Sequence, residues 1–359
     1  MTLRVPKACL LAAALLYPTQ ASAQASETFT VNGYSSFEFE KMLGDKGRGD
    51  PNGSFDADLI DLVVNFKPDS RLRVASDLTW EHGAATEDGR GNVAVEYAFA
   101  EFYFRDWLKV RAGKMFTAFG IYNEIHTAKP AFLTVKEPLA TNKNDKFGSD
   151  LRFYPRWQAG AAVLGDMHFG SVDADYTLQV GNGEQSATNP FEEDDNTAKS
   201  VTARLRVHPT QALTVGASLY RDSLTEYSAE GESTGGRTHL TSYGAQLQWV
   251  PSALGLELEY VRGSLDPSRE PSRTRSALTA MAYYRIRDRF TPYFRYEWLD
   301  PDSTISGDTA GLYIYGLNAR VVKGLFLKAE LDTVTTGSHN PRFEGQGYTE
   351  AKAAVVVGF

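Results

Sequence analysis

Read along its length, the sequence specifies an all-β chain, a 16-stranded antiparallel transmembrane β-barrel with short periplasmic turns and long extracellular loops. Three observations point there. Apolar and polar residues alternate with period two from end to end, and no stretch of comparable length has helical periodicity. Seven short turns alternate with eight long polar connections, the pattern of a barrel whose turns face the periplasm. Most of the 20 Phe, 18 Tyr and 5 Trp are assigned to two girdles near strand ends, where amphipathic rings meet membrane interfaces, with some rings left in the lumen.

The elements follow in order. Arg4 and Lys7, the apolar run Ala8 to Tyr17 and the small-residue site Ala21-Ser22-Ala23 make residues 1–23 a secretory signal. That run is too short to span a bilayer as a helix. Removing 23 of 359 residues leaves 336, residues 24–359, as one barrel. Cys9 is the only cysteine and precedes the apolar core. The remaining chain is therefore expected to have no lipid anchor, disulfide, thiolate or cysteine metal site. Strands follow at Phe29–Phe39, Leu72–Trp80, Val172–Val180, Val201–Val207, Leu254–Tyr260, Phe290–Trp298 and Leu325–Leu331. Turn chemistry separates them at Lys67-Pro68-Asp69-Ser70, Arg105-Asp106, Gly165-Asp166, Pro209-Thr210-Gln211, Pro251-Ser252-Ala253, Arg287-Asp288 and Val322-Lys323-Gly324. The long loops are placed near 41–54, 82–92, 117–150, 182–196, 221–238, 263–275, 300–309 and 333–347. Fifteen connections imply sixteen strands, about 21 residues each with a connector, enough for membrane strands of about 9–11 residues.

A soluble β-sandwich would bury the mid-strand charges Asp77, Asp173, Arg204, Glu257, Arg295 and Glu330. Such charges are costly in a dry core and ordinary facing a water-filled lumen. The C-terminus adds a second argument. Ala351, Ala353, Val355, Val357 and Phe359 occupy alternate positions up to the last residue. This resembles the closing-strand signal of Gram-negative outer-membrane proteins, which implies the barrel-assembly machinery as a partner that reads Phe359. Sixteen strands enclose an aqueous channel.

The loop at 117–150 is the longest and is expected to constrict the lumen. Its candidate residues are Phe119, Tyr122, Glu124, His126, Lys129 and Lys136. Alternation places Arg71, Arg73, Arg111, Arg204, Arg206, Arg285, Arg295, Arg320 and Lys328 inward as basic pore-lining candidates. Asp77, Asp173, Asp175, Glu257, Glu297 and Glu330 are the acidic ones. Most arginines lie near turns and several acids nearer loops, suggesting a lumen acidic above and basic below. Two readings stay open. A basic ring would favour anions, or facing charges on adjacent strands pair and brace the wall.

The formal net charge is −8, or −10 without the signal, which argues against nucleic acid. The six histidines are dispersed without metal-ligand spacing, so no metal site, cofactor or enzyme activity is expected. A barrel hydrolase would need an Asp/His or Ser/His pair at the rim. Glu192-Glu193-Asp194-Asp195 reads as a solvated loop run.

Val110-Arg111-Ala112-Gly113-Lys114-Met115-Phe116-Thr117-Ala118-Phe119-Gly120, with Tyr122-Asn123-Glu124, resembles the strand-to-third-loop segment of the phosphate-selective porin O/P-like group. Tyr176–Gly183 and Thr291–Glu297 resemble strand segments of that group. The resemblance covers essentially the whole chain after the signal. It implies a sixteen-stranded, often trimeric porin, whose phosphate-selective members carry a dense Arg and Lys array. Here Lys129, Lys136, Lys143 and Lys146 face Glu124, Glu137, Asp145 and Asp150, so phosphate selectivity is not carried over. The expectation is a Gram-negative outer-membrane porin passing small hydrophilic solutes or ions passively. Its surroundings are outer-membrane lipid and lipopolysaccharide, and a homotrimer is one expected state. An anion or phosphate channel, a barrel adhesin or anchor, and a barrel hydrolase are the alternatives.

Overall fold

The structure, a computed structural model, describes residues 29–44, 52–81, 93–125, 127–141, 152–183, 194, 196–228, 232–340 and 345–359. The signal segment with Cys9, His82, His126, Lys143, Lys146, Asp145, Asp150 and most of the acidic run at 192–195 lie outside these residues.

Sixteen strands form one closed antiparallel ring in chain order. They are β1 (Phe29–Leu43), β2 (Ser54–Asp69), β3 (Leu72–Glu81), β4 (Val93–Arg105), β5 (Leu108–Phe116), β6 (Trp157–Phe169), β7 (Val172–Gly181) and β8 (Ser200–Thr210). The ring continues through β9 (Leu213–Tyr227), β10 (Ser233–Trp249), β11 (Leu254–Pro267), β12 (Arg273–Tyr284), β13 (Phe290–Asp300), β14 (Ala310–Val322), β15 (Leu325–Thr336) and β16 (Tyr348–Gly358). Closure leaves no strand edge in lipid, as a spanning sheet requires. β16 returns to β1 in register from Tyr34↔Gly358 to Leu43↔Thr349. Beyond the last strand residue, Gly33 N–H donates to Phe359 O at 2.9 Å and Phe359 N–H to Gly33 O at 2.8 Å. A Cβ at Gly33 would lie 2.4 Å from the Phe359 ring, so glycine is what lets the terminal ring lie flat across the seam.

Strands outlast the apolar alternation on the loop side. The loop expected at 221–238 shrinks because β9 runs to Tyr227 and β10 begins at Ser233. The one expected at 263–275 shrinks in the same way, between Pro267 and Arg273. Backbone pairing continues above the membrane, where outward residues turn polar and the period-two hydrophobic signal fades while the ladder persists. β10, at 17 residues, is the longest strand.

The lumen is not uniformly wet. Inward residues of β9–β15, among them Tyr220, Leu240, Val261, Leu299, Leu312 and Ile314, are buried in one apolar cluster. Phe119, Leu139, Phe153 and Tyr154 of the third loop complete it. Phe119 and Tyr154 stack with centroids 4.1 Å apart. This side of the barrel has a core like that of a soluble domain, with the loop as its second layer.

Candidate functional site

The third long loop runs from Thr117, just after β5, to the start of β6, and enters the barrel. Its first residues follow the wall. Ala118 N–H donates to Gln179 Oε1 (3.0 Å), Gly120 N–H to Ser218 Oγ (3.2 Å) and Ile121 N–H to Glu259 Oε2 (2.5 Å). The Tyr122 hydroxyl donates to the Glu257 carboxylate. The chain then crosses to the opposite wall, where Thr127 Oγ1 lies 3.0 Å from Tyr34 Oη on β1. Two short 3-10 turns, Asn123–Ile125 and Lys129–Ala131, shape the crossing.

On the far side the loop is held by charge. Lys328 Nζ donates to the carbonyls of Lys129 (2.7 Å), Phe132 (2.8 Å) and Thr134 (2.8 Å). Arg295 donates to Thr134 Oγ1 (2.7 Å) and Lys136 O (3.0 Å). Val135 N–H donates to Glu330 Oε1 and Ala140 N–H to Glu297 Oε2, both at 2.7 Å. Lys129 reaches Glu38 (2.9 Å) and Asp58 (2.7 Å). Lys136 pairs with Glu38 and with Asp58 at 2.8 Å. Burial pulls both amines down, and the Glu38 and Asp58 carboxylates more than reverse it, leaving both above the ordinary lysine range.

These contacts change the reading of five wall residues. Arg295, Lys328, Glu297, Glu330 and Glu257 point inward, but the first four are between 0 and 6 % exposed. They line the loop's attachment, not open channel. Alternation reports which face a residue occupies and says nothing of what covers that face. Phe119, Tyr122 and Lys129 are likewise sealed, at 0 to 3 % exposure. Glu124, with 33 % of its side chain exposed, pairs with Arg204 at 2.5 Å.

On β3–β8 several inward side chains keep part of their surface exposed, among them Arg73 at 28 % and Arg206 at 32 %. Arg73 and Arg111 flank the Phe99 ring, with guanidinium carbons 5.5 and 4.3 Å from its centroid. Both approach Glu101, Arg111 at 2.6 Å and Arg73 at 3.8 Å. Arg206 pairs with Asp175 at 2.9 Å and Lys109 with Asp166 at 2.5 Å. Of the two open readings of the wall charges, pairing therefore describes most of this side. The exceptions sit toward the turns. Arg71 is exposed beside Asp69 at 4.0 Å. Arg285 leans on the Tyr283 ring at 5.5 Å, and among the described residues neither it nor Arg320 has an ion pair. Asp77 lies in a different environment. It accepts from the Tyr34 hydroxyl at 3.3 Å on the β1–β3 wall.

Two histidines pair with carboxylates. His168 and Asp173 meet at 2.7 Å on an exposed turn. His208 Nε2 lies 2.8 Å from Asp175 Oδ2, and its Nδ1 2.9 Å from Thr214 Oγ1. No group of three or more His, Cys, Asp or Glu among the described residues is arranged to hold a metal ion.

The sequence reading missed Glu38 and Asp58. Glu38 was findable, since it falls between the outward Phe37 and Phe39. Asp58 was not, because a bulge in β2 opposite Phe37 shifts the register and turns it inward.

Solved outer-membrane barrels share this architecture. The anion-selective porin of Comamonas acidovorans is 10 % identical, with a TM-score of 0.67 over 92 % of this chain and 99 % of its own. OmpF of Salmonella typhi, in complex with daunomycin, is 11 % identical, with a TM-score of 0.65 over 92 % and 97 %. OmpT of Vibrio cholerae, solved in a trimer form, is 12 % identical, with a TM-score of 0.57 over 92 % and 99 %. At these identities the likeness is one of fold. No curated relative matches the sequence. The model of the OmpL-like beta-barrel porin-2 family matches residues 163–359, more than half of the chain. The chain belongs to that family and is a porin of the Gram-negative outer membrane.

Proposed function

We propose that solutes cross by passive diffusion along the β3–β8 side of the lumen, and that this path mildly favours small anions without a dedicated phosphate site. One observation carries the reading. Arg73 and Arg111 share the single carboxylate of Glu101 on the wall the loop leaves uncovered, at 28 and 18 % side-chain exposure. That leaves an excess of positive charge on this wall, and rings of basic side chains favour anions. Arg71, Arg285 and Arg320 extend the excess toward the periplasm. Pairing of Arg204, Arg206 and Lys109 with carboxylates supports a mild preference over a strong one. It differs from the dense basic array of phosphate-selective porins.

Reversal potential across a planar bilayer in a salt gradient tests this. The reading expects a modest anion preference. A cation-selective current contradicts it, and no conductance at all favours an anchor or adhesin. The trimer form of Vibrio cholerae OmpT supports a homotrimer, which crosslinking in native membranes checks.

A hydrolase reading draws on Asp175, His208 and Thr214, which stand in the order of a catalytic triad. Arg206 also binds Asp175, at 2.9 Å, and neutralises the carboxylate that would orient the imidazole. We read the set as a brace tying β7, β8 and β9. Labelling of Thr214 by a fluorophosphonate probe would reverse that.

A further inference from the structure

Two carboxylates on the β1–β3 wall have no counter-charge. Asp61 on β2 and Asp77 on β3 point inward and are 0 and 2 % exposed. Ladder register sets Asp61 between Tyr34 on β1 and Thr79 on β3. The Thr79 hydroxyl donates to Asp61 Oδ1. The Tyr34 hydroxyl donates to Asp77 Oδ2 at 3.3 Å and also meets the Asp61 carboxylate. Thr127 of the third loop closes the group, its Oγ1 3.0 Å from Tyr34 Oη. All five side chains are sealed from solvent. Asp61 Oδ2 and Asp77 Oδ1 are left with no hydrogen-bond donor.

The nearby cations are committed elsewhere. Lys129 and Lys136 of the loop pair with Glu38 and Asp58. Arg73, inward on β3, turns to Asn65 and Glu101. Glu96, brought inward where a bulge interrupts the β3–β4 ladder, adds negative charge beside Asp77. Among the described residues no cation pairs with Asp61 or Asp77.

Buried carboxylates without a cation repel each other and lose their hydration with nothing in return. The group lacks both positive charge and donors, and a bound cation supplies what both would. The donor set fixes its class. Carboxylate and hydroxyl oxygens, with no nitrogen or sulfur, suit a hard cation. Ca²⁺ takes about six to eight oxygens in flexible geometry, whereas Mg²⁺ demands an octahedron and keeps several waters. Side chains this closed to solvent favour the ion that sheds its water.

We propose that Asp61, Asp77, Tyr34, Thr79 and Thr127 form a Ca²⁺ site that fastens the crossing of the third loop to the β1–β3 wall. The aspartates neutralise the ion, Tyr34 and Thr79 add oxygens from the wall, and Thr127 adds one from the loop. The site is whole only with the loop inside the barrel.

The test uses the purified barrel, refolded without lipopolysaccharide in EDTA, Ca²⁺ or Mg²⁺. Equilibrium dialysis is expected to find about one Ca²⁺ per chain, with Kd on the order of 10⁻⁴ M and Mg²⁺ about tenfold weaker. The thermal transition should be higher in Ca²⁺ than in EDTA. Asp61→Asn with Asp77→Asn should abolish that Ca²⁺ binding. By removing the buried charges it should also raise the transition in EDTA above that of the unaltered protein. Tyr34→Phe keeps both carboxylates and weakens Ca²⁺ binding about tenfold. Absence of bound Ca²⁺ in the unaltered protein overturns the proposal and leaves protons on the aspartates. Ca²⁺ binding that survives the asparagine pair overturns it too, because the ion then sits elsewhere, and so does Mg²⁺ bound as tightly as Ca²⁺. Should the asparagine pair fail to fold, Tyr34→Phe decides, and unchanged Ca²⁺ binding there overturns the proposal.

Discussion

The two sides of the lumen use the same residue types for opposite ends. Along β9–β15 and into β1–β2, carboxylates accept the backbone N–H groups of the third loop, and Lys328 and Arg295 hold its carbonyls and hydroxyl. Along β3–β8, arginines and lysines pair with carboxylates of neighbouring strands and keep part of their surface in water. On the first side a charge is a structural anchor, because burial makes each unpaired polar atom expensive. On the second it is a wall group that keeps part of its surface in water. An inward charge in a barrel therefore has a function only once its cover is known.

Removing an anchor should blur that distinction most. Lys328→Met leaves three loop carbonyls without their donor inside a dry interface. Losing one partner of a buried charged network costs about 3–5 kcal/mol. The thermal transition is expected to fall, and single-channel conductance at least to double as the loop detaches. Unchanged conductance would show that the loop is held elsewhere.

A smaller change acts on the open side. Arg73→Glu with Arg111→Glu reverses the charge beside Glu101 without touching the loop. Reversal potential should swing toward cations while single-channel conductance changes little. A swing of equal size from Arg295→Gln would erase the contrast between the sides.

The lysine clamp gives a pH test. Lys129 and Lys136 are held above the ordinary lysine value of 10.5. A raised folded value means their stabilisation is complete below the unfolded value and lost as pH rises through the folded one. Conductance should stay flat from pH 7 to 10 and rise only beyond about 10.5. An increase below pH 9 would place the clamp's titration elsewhere. The smallest effect belongs to Arg285→Gln with Arg320→Gln. Both sit toward the turn end in wider water, and only a slight loss of anion preference is expected in the reversal potential.

Much of this was legible in the sequence, for physical reasons. Period-two alternation is a local consequence of strand geometry, so the sixteen strands and the inward faces of Arg111, Arg206 and Glu330 could be read directly. What alternation lacks is depth and register. Glu330 and Asp175 look alike in sequence. One accepts a loop amide and the other the Arg206 guanidinium of the next strand, and only ladder pairing separates them. The bulge that turns Asp58 inward breaks the alternation and left no signal. Strand length was underread at β9 and β10, because pairing above the membrane no longer needs apolar outward residues. Lys114 shows the same gap from the other side. It points to lipid and lies 4.9 Å from the Trp157 ring centroid, a placement that register supplies.

The contrast between the sides is tested most directly by cysteine accessibility. The chain's single cysteine, Cys9, lies in the segment read as a signal, so an introduced cysteine is the only thiol of the remaining chain. Arg206→Cys is placed on the open side and Leu312→Cys, 1 % exposed in the native chain, on the loop side. A charged methanethiosulfonate added to channels in a bilayer should lower the current through Arg206→Cys within minutes and leave Leu312→Cys unchanged. Equal block at both positions would mean that solutes pass on the loop side as well, and would contradict the account.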